Sequence, residues 1–241
     1  MKITARNLIK IYGSRTVVNN ISFEINKGEV VGLLGPNGAG KTTTFYMIVG
    51  LVKANKGKVF IDNTDVTAMP MNERAKVGLG YLPQETSIFR KLTVEDNIKL
   101  VLELNDKLNQ RAKRDLLESL LDEFGLQRLR KYAGISLSGG ERRRCELARA
   151  LAASPEFILL DEPFTGIDPI AIGEIKEIIR KLSKQRGLGV LITDHNPKAT
   201  LSITDRAYII FDGQIKIHGR SDAVANNREA KEFYLGKDFQ L

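Results

Sequence analysis

The chain has 241 residues, of which 42% are hydrophobic and 27% are charged, a composition typical of a globular protein with a sizeable core. Its 37 basic and 29 acidic residues give a net charge of +8, which permits anionic partners but equally fits a solvated surface. The single cysteine, Cys145, excludes an internal disulfide and a cysteine-rich metal site.

Hydrophobic segments that would mark a membrane or secreted protein are missing from the sequence. No apolar run approaches the roughly 18 residues that a membrane-spanning helix needs. Residues 1–10 contain no hydrophobic core of a signal peptide. We therefore expect one large domain that works in a reducing cytoplasm, which the single cysteine also fits.

Two strands are predicted at the start of the chain, over residues 1–6 and 16–25. Tyr12 lies between them, and a third apolar run follows at residues 30–34. An aromatic ring at this point could stack on a purine, and the alternative is a half-exposed surface tyrosine.

A glycine-rich segment follows the third strand and precedes a helix predicted over residues 44–51. It matches the pattern G-x-x-x-x-G-K-[ST] in the strand–loop–helix context that the pattern requires. The glycines allow backbone N–H groups to point inward, and the helix N-terminus adds positive potential for phosphates. Lys41 supplies a full charge, and the Thr42 hydroxyl suits Mg²⁺. The predicted phosphate loop consists of Gly35, Pro36, Asn37, Gly38, Ala39, Gly40, Lys41, Thr42 and Thr43.

Strand and helix signals alternate after this loop. A strand is predicted over residues 57–61 and a short helix over residues 73–77, and the next strand ends before Gln84. Because ligands of α/β proteins bind at the carboxyl ends of parallel strands, Gln84 could reach Mg²⁺ or its water. The alternative is an ordinary solvated glutamine.

A mostly helical block comes next. Helices are predicted over residues 93–104, with Thr93 as N-cap, and over residues 107–124. No glycine-rich or proline-rich linker bounds the block, so we expect an integral helical subdomain, over about residues 86–153, inside one domain of residues 1–241.

The segment Leu137-Ser138-Gly139-Gly140-Glu141 precedes a helix predicted from about Arg142 to Ala153. Small residues before a helix N-terminus again suit an anion. Three arginines begin this helix, which is unfavourable against the helix dipole. Either a bound anion compensates their charge or the side chains point to solvent.

An apolar run at residues 157–160 ends in two adjacent acids. Alternation along a strand directs the two side chains apart, so we expect different roles. Asp161 suits Mg²⁺, and Glu162 suits the activation of an attacking water.

The remaining elements place one histidine at the end of a strand. Asp168 precedes a helix predicted over residues 170–186, and His195 follows a strand predicted over residues 189–193. His195 could bond a γ-phosphate or the reacting water, whereas we expect a structural role for His218. Asp212-Gly213 predicts a hairpin, and a closing helix is predicted over residues 223–233 within a C-terminal part of about residues 222–241.

Taken together, these motifs resemble the ATP-binding-cassette (ABC) family over essentially the whole chain. The resemblance implies an α/β fold: a P-loop NTPase core with a mixed sheet, an N-terminal antiparallel β part and an inserted α-helical subdomain. It implies ATP and Mg²⁺ as cofactors and adenine stacking on Tyr12. Phosphates would bind Lys41 and the phosphate loop, and Mg²⁺ would bind Thr42, Gln84 and Asp161. Glu162 would be the catalytic base, His195 a switch residue and Asp168 the dimer-communicating residue.

The family resemblance also implies a head-to-tail homodimer, in which Ser138, Gly139 and Gly140 of one subunit close over ATP on the other. A narrower resemblance is to the ATPases of lipopolysaccharide export, carried by residues 42–47, 81–90, 194–196 and 234–239. It implies two integral membrane subunits as partners, contact with them through Phe89 and Arg90, and a place on the cytoplasmic face of the inner membrane.

Two alternatives remain open from the sequence. ATPases of branched-chain amino-acid importers share much of the pattern. A soluble ABC ATPase that acts on nucleic acid would suit the charge of +8. The chain lacks the coiled-coil insertion and the second cassette expected of such proteins, so we expect no direct nucleic-acid partner.

Overall fold

The computed structural model describes residues 1–106 and 108–241. Its strands fall into two sheets. In chain order they are β1 Lys2–Tyr12, β2 Arg15–Asn26, β3 Val30–Leu34, β4 Lys56–Ile61, β5 Thr64–Asp65, β6 Leu79–Leu82, β7 Phe157–Asp161, β8 Gly189–Thr193, β9 Arg206–Phe211 and β10 Gln214–Arg220.

The larger sheet has the spatial order β10-β9-β3-β8-β7-β6. All neighbouring pairs from β9 to β6 are parallel, and β10 is antiparallel to β9 through the predicted Asp212-Gly213 turn. Both turn residues have positive φ angles, which suits a two-residue hairpin. The carboxyl ends of β3, β6, β7 and β8 therefore meet at one edge, where ligands of α/β proteins bind.

The smaller sheet is antiparallel, in the order β2-β1-β4-β5. It shares a hydrophobic core with one face of the larger sheet. Alternate residues of the central strands point to opposite faces of that sheet. Val31 and Leu159 pack with the smaller sheet, whereas Val30 and Leu160 pack on the opposite, helical side. The two sheets and their helices confirm the predicted mixed α/β fold with an antiparallel β part.

The helices lie mainly on the face of the larger sheet that is opposite the smaller sheet. Three of them come between β6 and β7 in the chain. The helices are α1 Lys41–Val49, α2 Met71–Lys76, α3 Val94–Glu103, α4 Gln110–Glu123, α5 Gly139–Leu151, α6 Pro169–Lys184, α7 Pro197–Leu201, α8 Ser221–Asn226 and α9 Arg228–Ala230. A π-helical turn, Lys231–Leu235, follows α9. None of the described helices combines the length and apolarity needed to cross a membrane.

Several helix boundaries differ from those predicted. Lys107, where the second helix of the helical block is predicted to begin, lies outside the described residues; α4 begins at Gln110, capped by Asn109. The predicted closing helix at residues 223–233 is divided, because Asn227 is extended, ends α8 and caps α9. Helix α5, which starts within residues 137–141 (the signature segment), begins at Gly139 rather than Arg142, because Ser138 and Glu141 form a capping box.

Candidate functional site

The phosphate loop connects the fully buried strand β3 to α1. Gly35 and Gly40 have φ angles of 144° and 102°, and both approach other backbone closely. A Cβ on Gly35 would lie 2.1 Å from the Ile210 carbonyl oxygen, and one on Gly40 would lie 2.6 Å from that of Val17. The loop path therefore requires glycine at both positions. Helix α1 starts at Lys41, three residues earlier than predicted, and ends at Val49 before Gly50.

Lys41 lies within this loop rather than in solvent. Its Nζ donates to the carbonyl oxygens of Gly35 and Pro36, at 2.8 and 2.9 Å. Burial lowers the pKa of Lys41, and the nearby Glu162 carboxylate partly opposes this shift. Asn37, Gly38 and the Thr42 side chain are exposed, whereas Ala39 is buried and Thr43 is partly buried. The loop thus presents a tethered ammonium and a free hydroxyl at the carboxyl edge of the sheet.

Asp161 is the last residue of β7 and is only 1% exposed. Its Oδ2 atom is buried and makes no hydrogen bond of regular geometry among the described residues, although the nearby Tyr46 hydroxyl acts on the carboxylate and partly lowers its pKa. Burial raises the pKa of Asp161 to about 6. A buried carboxylate oxygen that lacks a donor fits a cation better than it fits a structural hydrogen bond.

Glu162 turns away from the strand through a left-handed backbone conformation, with a φ angle of 47°. Its Oε2 accepts hydrogen bonds from Gln84 Nε2 at 2.7 Å and from Thr165 Oγ1 at 3.2 Å. Its Oε1 lies 2.5 Å from His195 Nε2. The loops after β6, β7 and β8 therefore converge on one carboxylate, while Asp161 remains separate.

His195 also borders a cavity of about 340 Å³ beside the phosphate loop. Asp194 holds the backbone around His195 in place, because its carboxylate accepts hydrogen bonds from the backbone N–H groups of Asn196 and Phe164. The cavity is lined by Gly35, Pro36, Asn37, His195 and Tyr234. The sequence analysis assigned no site role to Tyr234, because the contact joins the C-terminal segment to a loop about 200 residues earlier.

Tyr12 is 49% exposed at the end of β1, which extends six residues further than the predicted strand. The Nζ atom of Lys10 lies 5.0 Å from the centre of its ring. The ring therefore has a free surface beside a cation. A stacking role on adenine stays a prediction.

The signature segment lies at the N-terminus of α5 and faces the start of α6. Ser138 caps α5, and a Cβ on Gly140 would lie 2.6 Å from Ala171 Cβ. Asp168 caps α6 by accepting from the N–H groups of Ile170 and Ala171. Within the described residues, no hydrogen bond joins residues 138–140 to residues 35–43. One chain therefore presents the two predicted anion sites separately.

Arg142, Arg143 and Arg144, at the start of α5, all have partners inside the chain. Arg142 donates to the Leu137 carbonyl oxygen, and Arg144 pairs with Glu174. Arg143 is buried and pairs with Glu146 at 3.3 Å. Arg143 and Glu146 lie one turn apart on α5 itself, whereas Arg144 reaches Glu174 of α6, a contact that periodicity does not reveal.

Phe89 and Arg90, the predicted partner contacts, follow Gln84 in the loop after β6. Both are exposed, and Phe89 is 47% exposed. The Phe89 ring packs against the Arg149 guanidinium, whose Cζ is 5.1 Å from the ring centre. A single exposed aromatic ring is common on protein surfaces, so a partner contact through Phe89 and Arg90 stays a prediction.

Comparison with known proteins agrees with this geometry. The ABC transporter family pattern matches residues 18–165. The lipopolysaccharide export system ATP-binding protein LptB of Haemophilus influenzae is 54% identical over 239 residues, 99% of each chain, and that of Escherichia coli K12 is 53% identical over the same span. The ADP conformation of MJ1267, an ATP-binding cassette of an ABC transporter, superposes with a TM-score of 0.86 at 28% identity, covering 98% of this chain and all of that one.

A P-loop core whose sheet edge carries a phosphate loop, paired acids and a histidine defines a nucleotide-hydrolysing protein. The chain belongs to the ABC transporter family and is an ATPase of that family.

Proposed function

We propose that this ATPase powers the extraction of lipopolysaccharide from the inner membrane for export to the outer membrane. The observation that carries the proposal is the full-length identity of 53–54% to proteins named as ATP-binding subunits of lipopolysaccharide export. The named relatives favour export over the importer and nucleic-acid alternatives. The chain would act on the cytoplasmic face of the inner membrane, bound to two integral membrane subunits.

Magnesium fits the donors at the sheet edge. The unpartnered Asp161 Oδ2, the exposed Thr42 hydroxyl and the side-chain oxygen of Gln84 are hard oxygen ligands, and Gln84 uses only its nitrogen on Glu162. The described residues contain no cluster of three His, Cys, Asp or Glu that could hold a metal alone, which suits an ion that completes its shell with phosphate and water. When bound, Mg²⁺ would neutralise charge on the transferred phosphate.

The residues of this chain suggest separate roles in hydrolysis. Lys41 and the N-terminus of α1 bind the phosphates. Glu162 takes a proton from the attacking water, and Gln84 and His195 hold its two carboxylate oxygens in place. Hydrolysis would then proceed by in-line attack on the γ-phosphate, with the loop stabilising the developing charge.

A head-to-tail dimer would complete this site. Ser138, Gly139 and Gly140 present a capped helix N-terminus but do not bond the phosphate loop of their own chain. A second copy can supply them across a two-fold axis, giving two equal sites. The dimeric cassette MJ0796 bound to ADP and Pi, 26% identical with a TM-score of 0.79, provides a structural precedent.

Mutation of Glu162 tests this mechanism. Glu162→Gln should bind ATP but hydrolyse it at least roughly 100-fold more slowly, because the amide cannot accept the proton. The matched control Glu156→Gln removes a surface carboxylate that pairs with Lys27 and should leave turnover unchanged. Near-normal hydrolysis by Glu162→Gln would refute the assignment. Purification of the native complex and identification of its membrane subunits would test the export function.

A further inference from the structure

The exposed ring of Tyr12 carries a cation on one of its faces. Lys10 lies two residues earlier on β1, and its Nζ atom is 5.0 Å from the centre of the ring. We propose that Lys10 is a positioning residue for nucleotide binding: its ammonium group occupies one face of Tyr12 and strengthens the stacking of a purine base on the other face. The inference rests on the proposed mode of ATP binding, in which adenine stacks on Tyr12, and it is independent of the transported cargo.

Tyr12 lies at the end of a hairpin that packs against the phosphate loop. It is paired with Arg15 across the turn between β1 and β2. Two residues further along β2, the Val17 carbonyl oxygen would lie 2.6 Å from a Cβ on Gly40. At about 3.3 Å per residue, the pair at the hairpin end lies about 7 Å along the strand from this contact. One extended nucleotide can therefore place its base on the ring and its phosphates in the loop.

Three hydrogen bonds hold the end of β1 to the connection between α1 and β4. Lys10 Nζ donates to the Lys53 carbonyl oxygen at 2.7 Å. The Asn55 N–H donates to the Ile9 carbonyl oxygen at 2.8 Å, and the Asn55 side-chain oxygen accepts from the Ile11 N–H, also at 2.8 Å. The ammonium group is therefore held above the ring by a backbone acceptor of a neighbouring segment.

The charge of Lys10 is not neutralised by a carboxylate. Within the part of the chain that the structure describes, its ammonium bonds a backbone carbonyl oxygen and makes no ion pair. A second lysine on the same sheet provides a contrast, because Lys58 lies over the Phe60 ring at 5.9 Å but pairs with Asp65 at 2.9 Å. The attraction between a cation and an aromatic face is electrostatic, so the unpaired Lys10 acts on its ring with a full charge.

A cation on one face of an aromatic ring attracts the π electrons towards that face. The opposite face becomes less negative, and its repulsion of the π electrons of a stacked base decreases. The Tyr12 side chain is 49% exposed, which leaves ring surface for such a ligand. The expected order is therefore ammonium group, tyrosine ring and purine base.

Binding of ATP and of tripolyphosphate, which has the phosphates but no base, tests the proposal. Lys10→Met keeps the length of the side chain and removes its charge, so it should weaken ATP binding by about three- to fivefold and change tripolyphosphate binding by less than about 1.5-fold. Lys10→Arg, which keeps a cation, should retain most of the affinity for ATP. Lys58→Met, at the neutralised cation over Phe60, is the matched control and should leave both dissociation constants unchanged.

A double-mutant cycle separates an effect through the ring from a general effect on the fold. Tyr12→Leu alone should weaken ATP binding by about tenfold or more, because it removes the stacking surface for the base. In the Tyr12→Leu protein, Lys10→Met should change the dissociation constant by less than about 1.5-fold, since the ring through which the charge acts is absent. Equal effects of Lys10→Met in both proteins would overturn the proposal, as would equal weakening of ATP and tripolyphosphate binding.

A fluorescence measurement distinguishes failure of the stacking prediction from failure of the role of Lys10. The chain contains no tryptophan, so Tyr12→Trp introduces a single indole, whose emission ATP should quench and tripolyphosphate should not. If ATP leaves this emission unchanged and Tyr12→Leu binds ATP normally, the stacking prediction fails and the role of Lys10 fails with it. If stacking is confirmed but Lys10→Gln, which keeps a donor for the Lys53 carbonyl oxygen, binds ATP as tightly as the native chain, only the role of Lys10 is overturned.

Discussion

The side-chain amide of Gln84 donates to the Glu162 carboxylate at 2.7 Å and so connects the loop after β6 to the proposed catalytic base at the end of β7. His195 contacts the other carboxylate oxygen from the loop after β8. The Glu162 carboxylate is thus oriented by two residues that follow neighbouring strands. Gln84 also begins the loop that leads to Phe89, the proposed partner contact.

Replacing this amide with a carboxylate tests the relationship. In Gln84→Glu two carboxylates would lie side by side, and neighbouring acids resist ionising together. The acidic limb of the ATPase pH profile should therefore move to higher pH by about one unit or more. Turnover measured from acidic to alkaline pH gives the limb directly. Gln84→Leu, which removes the hydrogen bond without adding an acid, is the matched control and should lower turnover with a much smaller displacement; identical profiles for both variants would contradict the prediction.

A second prediction concerns Arg74, which supports the helix that follows the phosphate loop. Its guanidinium is 2% exposed and bonds the carbonyl oxygens of Met47 and Ile48 at the C-terminus of α1, together with those of Met69 and Thr67. Burial lowers the pKa of Arg74 to about 10. A cation is stabilised at a helix C-terminus, and here it bonds four carbonyl groups.

Arg74→Met should destabilise the protein by about 2–4 kcal/mol, because it leaves these buried carbonyl groups without a donor. Urea unfolding measures the change. Arg111→Met, at a side chain that is 87% exposed, should change stability by less than about 0.5 kcal/mol. If the two substitutions had similar effects, Arg74 would not be a structural support of α1.

The sequence predicts features that depend on neighbouring residues more reliably than those that depend on distant ones. The phosphate loop follows from glycine, lysine and threonine spacing, and the acid pair follows from an apolar run that ends at Asp161. The capping-box spacing of Ser138 and Glu141 indicates the start of α5 in the same way. The predicted start lies instead at the arginines of residues 142–144. That choice placed the helix three residues late.

Contacts between residues that are far apart in the sequence could not be predicted from it. Glu146 and Arg149 look like ordinary residues of an amphipathic helix, and their hydrogen bonds with Ser87 form only because the loop after β6 packs on α5. Arg74 likewise has the pattern of a surface residue on a short helix. In each case a charged side chain is buried by satisfying backbone groups of a distant segment, which no local periodicity encodes.

Glu95 makes the stability of the helical block dependent on pH. Its carboxylate pairs with Arg130 at 3.1 Å, with Lys131 at 2.7 Å and with Lys99. The hydrogen bond from Arg130, followed by those from Lys131 and Lys99, holds the pKa of Glu95 well below its ordinary value. For an acid with a lowered pKa in the folded state, the stabilisation is present above the unfolded pKa and is lost as the pH falls towards the folded one.

Glu95→Gln should therefore lower stability by roughly 1–2 kcal/mol at pH 7, with a smaller deficit as the pH falls below about 4.5. Thermal or urea unfolding at several pH values measures the difference between the two proteins. Asp115→Asn, which removes an exposed partner of Arg111, serves as control and should show little effect at any pH. A deficit that does not change with pH would exclude the charge network as its cause.

Tyr234 forms the wall of the phosphate-loop cavity that is contributed by the C-terminal segment. It belongs to the π-helical turn after α9, which packs on β9 through Phe211 and Phe233, with ring centres 5.1 Å apart. The Tyr234 hydroxyl is buried beside the backbone N–H of Gly35, but the two groups do not reach the geometry of a regular hydrogen bond. Its ring, rather than its hydroxyl, should therefore support the loop.

Tyr234→Phe should leave the dissociation constant for ATP within about twofold, because the packing of the ring is kept. Tyr234→Ala removes the wall beside Gly35 and His195 and should weaken ATP binding by about five- to tenfold, since the loop loses its packed neighbour. Calorimetric titration with ATP measures both constants, and Tyr132→Ala, at a residue that is 55% exposed, controls for the loss of a surface ring. Equal weakening in the phenylalanine and alanine variants would assign the effect to the hydroxyl, and normal binding by Tyr234→Ala would show that the C-terminal segment does not support the phosphate loop.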